Sequence, residues 1–122
     1  MPASRKILVI EDEPEMRILL QEVLRRAGYE VVTSPYLATA IQEAFTDDFD
    51  LITLDLNMPG IDGREIAEAF EQRGLDIPVL VISAALDDTT ISQLQENGIQ
   101  HFLAKPFEIS KLLLAVERAL SG

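Results

Sequence analysis

Two hydrophobic periods alternate from one end of the chain to the other, and this alternation leaves few folds open. Ile7-Leu8-Val9-Ile10 is a short, continuous apolar run rich in β-branched residues. Such a run suits a strand buried on both faces. Met16, Leu19, Leu20, Val23, Leu24 and Ala27 follow at gaps of 3, 1, 3, 1 and 3, which place them on one helical face. Pro14 suits the first turn of that helix and Gly28 its C-terminal stop. The pattern then repeats. Strands are expected over Tyr29–Thr33, Leu51–Leu54, Val79–Ile82 and Ile99–Leu103. Helices are expected over Tyr36–Phe45, Arg64–Arg73, Asp87–Asn97 and Glu108–Leu120, with Gly74 and Gly98 as stops.

Five strand–helix units in 122 residues leave no room for a linker, so a single domain over residues 1–122 is expected. Repeated alternation implies a parallel sheet with helices on both faces. Right-handed crossovers then bring the C-terminal ends of all strands to one edge. Ligand chemistry in such sheets sits outside that edge, where the strand order reverses.

Composition closes other routes. With no Cys and one His, disulfide scaffolds, thiol catalysis and multi-His metal sites are excluded. No apolar stretch approaches the roughly 20 residues that span a bilayer, and the N-terminus lacks the apolar core of a signal peptide. A soluble cytoplasmic domain is expected, without a membrane association. Ten basic against 21 acidic residues, a net charge of −11, argue against direct nucleic-acid binding.

The strand ends carry a consistent chemistry. Glu11, Asp12 and Glu13 follow the first strand, Asp55 the third, Ser83 the fourth and Lys105 the fifth. A carboxylate at a strand end can act as a nucleophile and form an acyl phosphate. Clustered carboxylates with a backbone carbonyl suit Mg²⁺, and a metal, an ammonium and a hydroxyl together neutralise phosphoryl oxygens. Taken singly, each residue has a plainer reading: an acid as a helix cap, a serine as a cap, a lysine as a solvated surface group. Four separate strands delivering them to one edge favour the joint reading.

The segments Ile7–Pro14, Asp50–Gly63, Pro78–Ala84 and Lys105-Pro106-Phe107, in this order and spacing, resemble the receiver domain of two-component response regulators. The likeness covers nearly all of residues 5–120. It implies a flavodoxin-like, doubly wound, five-stranded parallel sheet of order 2-1-3-4-5 with five helices. It implies Asp55 as phosphoacceptor, and Mg²⁺ held by Glu11, Asp12, Asp55 and the backbone carbonyl of Asn57. Ser83 then matches the switch hydroxyl, Lys105 the lysine that pairs with the phosphoryl group, and Phe102 the aromatic that changes rotamer. The Lys105–Pro106 peptide is expected to be cis. The implied donor is a histidine kinase or histidine phosphotransfer protein. The implied output is a change in the surface of the fourth helix, fifth strand and fifth helix, which serves an effector domain or protein and a homodimer.

Three residues depart from the family's commoner pattern. Glu11 stands where Asp is more frequent, and its extra methylene allows water-mediated metal contact. Ser83 replaces Thr, and Phe102 lacks the hydroxyl of a Tyr. None of these removes a required group. The chain is expected to be a signalling phosphoacceptor and not an enzyme. A phosphohydrolase using an aspartyl-phosphate would want an acid where Asn57 stands. An unphosphorylated docking module would not need the full acceptor, acid, hydroxyl and lysine set. His101, in the fifth strand and away from the site edge, reads as a structural residue.

Overall fold

The computed structural model describes residues 4–56, 68 and 76–121. Among them are β1 (Lys6–Ile10), α1 (Pro14–Arg26), β2 (Glu30–Ser34), α2 (Leu37–Thr46), β3 (Leu51–Leu54), β4 (Val79–Ser83), α3 (Asp88–Glu96), β5 (His101–Ala104) and α4 (Ile109–Ser121). The helix expected over Arg64–Arg73 lies outside the described residues, so the expected fourth and fifth helices are α3 and α4. The strands form one parallel sheet of order β2-β1-β3-β4-β5.

Both faces of the sheet are packed, as continuous apolar runs require. Alternate residues of β1 point to opposite layers. Leu8 and Ile10 join Ala40 and Ala44 of α2 and Leu94 of α3 in one core. Ile7 and Val9 join Leu20 and Leu24 of α1 and Leu112, Val116 and Ala119 of α4 in the other. Burying each large aliphatic side chain contributes roughly 1.5–3 kcal/mol, so these two layers dominate stability.

The helix boundaries follow from local chemistry. Pro14 sits in the first turn of α1, where a missing N–H costs nothing. Gly28 and Gly98 have φ of 100° and 88°. Each closes a helix by paired backbone bonds: Gly28 N to Arg25 O and Tyr29 N to Leu24 O, then Gly98 N to Gln95 O and Ile99 N to Leu94 O. This Schellman arrangement needs a left-handed residue, which glycine adopts without a Cβ penalty. It also explains why β5 starts at His101 and not at Ile99: the Ile99 amide is still closing α3, while its side chain is buried in the core.

Candidate functional site

Backbone pairing continues past the last strand residues and fixes what stands there. Glu11 N donates to Ser34 O at 3.1 Å, Asp55 N to Ile10 O at 3.2 Å and Lys105 N to Ser83 O at 3.0 Å. Glu11, Asp55, Ser83 and Lys105 are therefore held by the sheet itself and not by free loops. The order β2-β1-β3 places the reversal of strand order between β1 and β3, where Glu11, Asp12 and Asp55 converge.

The side chains meet as the sequence pattern requires. Lys105 Nζ donates to Glu11 Oε1 at 2.9 Å and to Asp55 Oδ2 at 3.3 Å. One carboxylate oxygen each from Glu11, Asp12 and Asp55 lies within 4.8 Å of the others. Glu11 is 1% exposed and Asp55 5% exposed, so the charges face each other away from bulk water. Burial pushes the Glu11 carboxyl up to about 8, with the Asp55 carboxyl adding to the rise and Lys105 opposing it. Burial alone would lower Lys105, but its contacts with Glu11 and Asp55 outweigh that and hold its pKa above the usual lysine range.

The donor set fits a hard divalent cation. Three carboxylates against one ammonium leave an excess of negative charge in a poorly solvated place. Glu11 Oε2 is buried and accepts no hydrogen bond among the described residues. Oxygen ligands with surplus negative charge are what Mg²⁺ selects. Glu11, Asp12 and Asp55 could hold the ion. Asn57, expected to lend its backbone carbonyl, lies outside the described residues.

Ser83 is fully buried, and its Oγ accepts from Ala85 N at 3.1 Å. The hydroxyl therefore already caps the turn after β4, alongside the switch role the sequence suggests. Phe102 is half-buried against the core layer that contains Leu94 and Ile99. The Lys105–Pro106 peptide is cis, as expected. His101 begins β5, at the end of the strand away from the acids.

Sequence reasoning missed Arg17. Its Nη1 donates to the carbonyl oxygens of Glu11 at 3.2 Å and Asp12 at 3.4 Å. No side-chain motif announces this contact, because its targets are backbone atoms. The available signal is an arginine one turn into the helix that follows the acids.

Comparisons with known proteins agree with this geometry. A family model for the response regulator receiver domain matches residues 7–117. The alkaline phosphatase synthesis transcriptional regulatory protein PhoP of Bacillus subtilis is 36% identical over 104 residues, covering 85% of this chain. This chain spans 43% of the length of PhoP. Sporulation initiation phosphotransferase F of the same organism is 32% identical, with 96% of this chain and 94% of that protein covered. The response regulator TrrA of Thermotoga maritima, solved in complex with Mg²⁺ and BeF, is 32% identical. It superposes with a TM-score of 0.82 over 95% of this chain and 99% of its own. The chain belongs to the response regulator receiver domain family.

Proposed function

We propose that residues 1–122 form one cytoplasmic receiver domain whose Asp55 accepts a phosphoryl group from a phosphohistidine of a histidine kinase or histidine phosphotransfer protein. The observation that carries this reading is the Lys105 ammonium joining Glu11 and Asp55 at the ends of three separate strands. In the transfer, an Asp55 oxygen bonds to phosphorus as the donor's N–P bond breaks and the imidazole leaves with the electron pair. The result is an acyl phosphate on Asp55. Mg²⁺ held by Glu11, Asp12, Asp55 and the Asn57 carbonyl would neutralise charge on the phosphoryl oxygens. TrrA, solved with Mg²⁺ and BeF, supports that assignment by likeness.

The remaining residues read the modification. Lys105 is already beside Asp55 and can pair with a phosphoryl oxygen there without crossing the site. The Ser83 hydroxyl can donate toward the phosphoryl group while continuing to accept from Ala85 N. Phe102, packed between the sheet and α3, would then shift rotamer. The surface of α3, β5 and α4 changes with it, a population shift toward a packing that an effector or a second copy recognises. The domain acts as a phosphoacceptor that supports only its own phosphorylation and dephosphorylation.

The test is intact mass after incubation with acetyl phosphate and Mg²⁺. One added phosphoryl group is expected on the wild-type protein and none on Asp55→Asn. Equal, stable labelling of both proteins would overturn the assignment.

A further inference from the structure

We propose that Arg17 is a positioning residue for the metal site: it holds the β1–α1 loop so that Glu11 and Asp12 present their carboxylates to one cation. The inference rests on the proposed Mg²⁺ site and concerns how this chain builds it.

The loop needs such an anchor. Glu13 is the N-cap of α1, and its side chain makes no capping hydrogen bond. Pro14 follows and has no N–H to offer. Glu11 N is tied to β2 through Ser34 O, and Arg17 N reaches back to Glu13 O at 2.9 Å. Between these points lie the two peptide planes after Glu11 and Asp12. The Arg17 guanidinium fixes both, because one nitrogen donates to both carbonyl oxygens at 3.2 and 3.4 Å. A planar, permanently charged donor group on the adjoining helix is well suited to hold two acceptors at once. The carboxylates of Glu11 and Asp12 hang from the residues so fixed. Groups that orient metal ligands without touching the metal commonly change affinity by about 10–100-fold.

The same residue carries a positive charge near a cation site, and this makes the proposal testable by sign. Were charge its only influence, removing Arg17 would deepen the negative potential and tighten Mg²⁺ binding. As an anchor, its removal loosens the ligands and weakens binding. Arg25 provides the control. It lies on the same helix, two turns on, and its Nη2 donates to Val31 O at 3.4 Å, away from the acids. Arg17→Gln and Arg25→Gln change the net charge equally.

The experiment is calorimetric titration of Mg²⁺ into wild type, Arg17→Gln, Arg17→Lys and Arg25→Gln, with amide hydrogen exchange at Asp12 and Glu13. Arg17→Gln should raise the Kd about tenfold and speed exchange at both amides. Arg25→Gln should leave the Kd unchanged or slightly lowered. Lysine keeps the charge but is one bond shorter and lacks the guanidinium's fixed plane, so Arg17→Lys should still raise the Kd about threefold. That variant also carries the test if Arg17→Gln fails to fold. An unchanged or lowered Kd in Arg17→Gln, or an unchanged Kd in Arg17→Lys, overturns the role of Arg17 while leaving the metal site standing. Wild-type protein that binds no Mg²⁺ overturns both.

Discussion

The two edges of the sheet each hold a lysine among carboxylates, with opposite electrostatic outcomes. At the C-terminal edge Lys105 faces Glu11 and Asp55, and at the N-terminal edge Lys6 pairs with Asp47. The Lys6–Asp47 pair is open to water, at 24% and 48% side-chain exposure, and Glu30 and Asp48 add further negative charge around Lys6. Each partner there stabilises the other's charge: the contact with Lys6 lowers Asp47, and the contact with Asp47 raises Lys6. At the buried edge acids outnumber the ammonium, and Glu11 is pushed up to about 8. The same pair chemistry makes an ordinary surface bridge in one place and an unfinished site in the other. What distinguishes them is burial: water screens the acids around Lys6, whereas the surplus carboxylate beside Lys105 is left for a further cation or a proton to offset.

The largest expected effect comes from removing the buried ammonium. Lys105→Ala leaves Glu11 and Asp55 facing one another without a counter-charge. Breaking a buried pair costs about 3–5 kcal/mol in general, and the capacity of Glu11 to take a proton reduces this to about 2 kcal/mol. Denaturant titration in EDTA should show that loss. Mg²⁺ at ten times its Kd should restore about 1.4 kcal/mol by linkage, so the variant gains stability from the metal. Equal stability of variant and wild type in EDTA would mean that the two edges do not differ in kind.

Glu11→Gln tests the surplus carboxylate directly. The Glu11 pKa is higher in the folded state, about 8 against an ordinary 4.5, so folding favours its protonated form. Its stabilising contribution is complete below about pH 4.5 and is lost as pH rises toward 8. Without metal, the stability of wild type minus Glu11→Gln should therefore fall as pH rises across that window. Saturating Mg²⁺ should flatten the fall, because the metal favours the ionised carboxylate. A difference that is independent of pH would remove Glu11 from the account.

The architecture was legible because local pattern and tertiary demand coincide. Ile7–Ile10, Leu51–Leu54 and Val79–Ile82 can be buried on both faces only in a covered parallel sheet. Gly28 and Gly98 mark the helix ends because a left-handed closing residue is needed there. The acids, the hydroxyl and the lysine were legible through the resemblance and through their place after strands. Less legible were contacts that depend on backbone acceptors or on distant pairing. Arg17 reaches carbonyl oxygens, and Lys6 finds Asp47 only because β1 lies beside β3 in the folded sheet. The capping bond from Ala85 N to Ser83 Oγ was equally illegible, since a serine after a strand fits a cap and a switch alike.

A further contrast lies within β3. Thr53 is 1% exposed, and its Oγ1 has no hydrogen-bond partner among the described residues. Glu11 Oε2 shares that condition but belongs to a site that a cation would complete; Thr53 stands in mid-strand, opposite Val9 and Leu80. Thr53→Val keeps the shape and β-branching and removes the stranded hydroxyl. It should raise stability by about 1 kcal/mol, read as a higher denaturant midpoint at unchanged m-value. A lower midpoint would show that the hydroxyl is bonded in solution.

The smallest effect is expected at the exposed edge, where Asp47→Asn neutralises the partner of Lys6. The amide keeps a side-chain oxygen for the Asp48 N–H, which donates to Asp47 Oδ1 at 2.9 Å in the wild type. Lys6 keeps its position over the Phe49 ring, 5.3 Å from the centroid, and its backbone N–H still donates to Asp50 Oδ2 at 2.8 Å. What disappears is one solvated charge contact, of a kind that often adds nothing measurable. The pKa of Asp47 is lowered by its contact with Lys6, so any contribution is present above the ordinary carboxylate range near 3.8 and is lost as pH falls below it. The melting temperatures of wild type and Asp47→Asn should therefore coincide at pH 7 in 0.15 M salt. They should also remain insensitive to Mg²⁺ relative to one another, because the substituted residue lies at the opposite edge from the acids. A clear loss at pH 7 that survives high salt would show that the exposed pair is as structural as the buried one, and burial would then no longer separate the two edges.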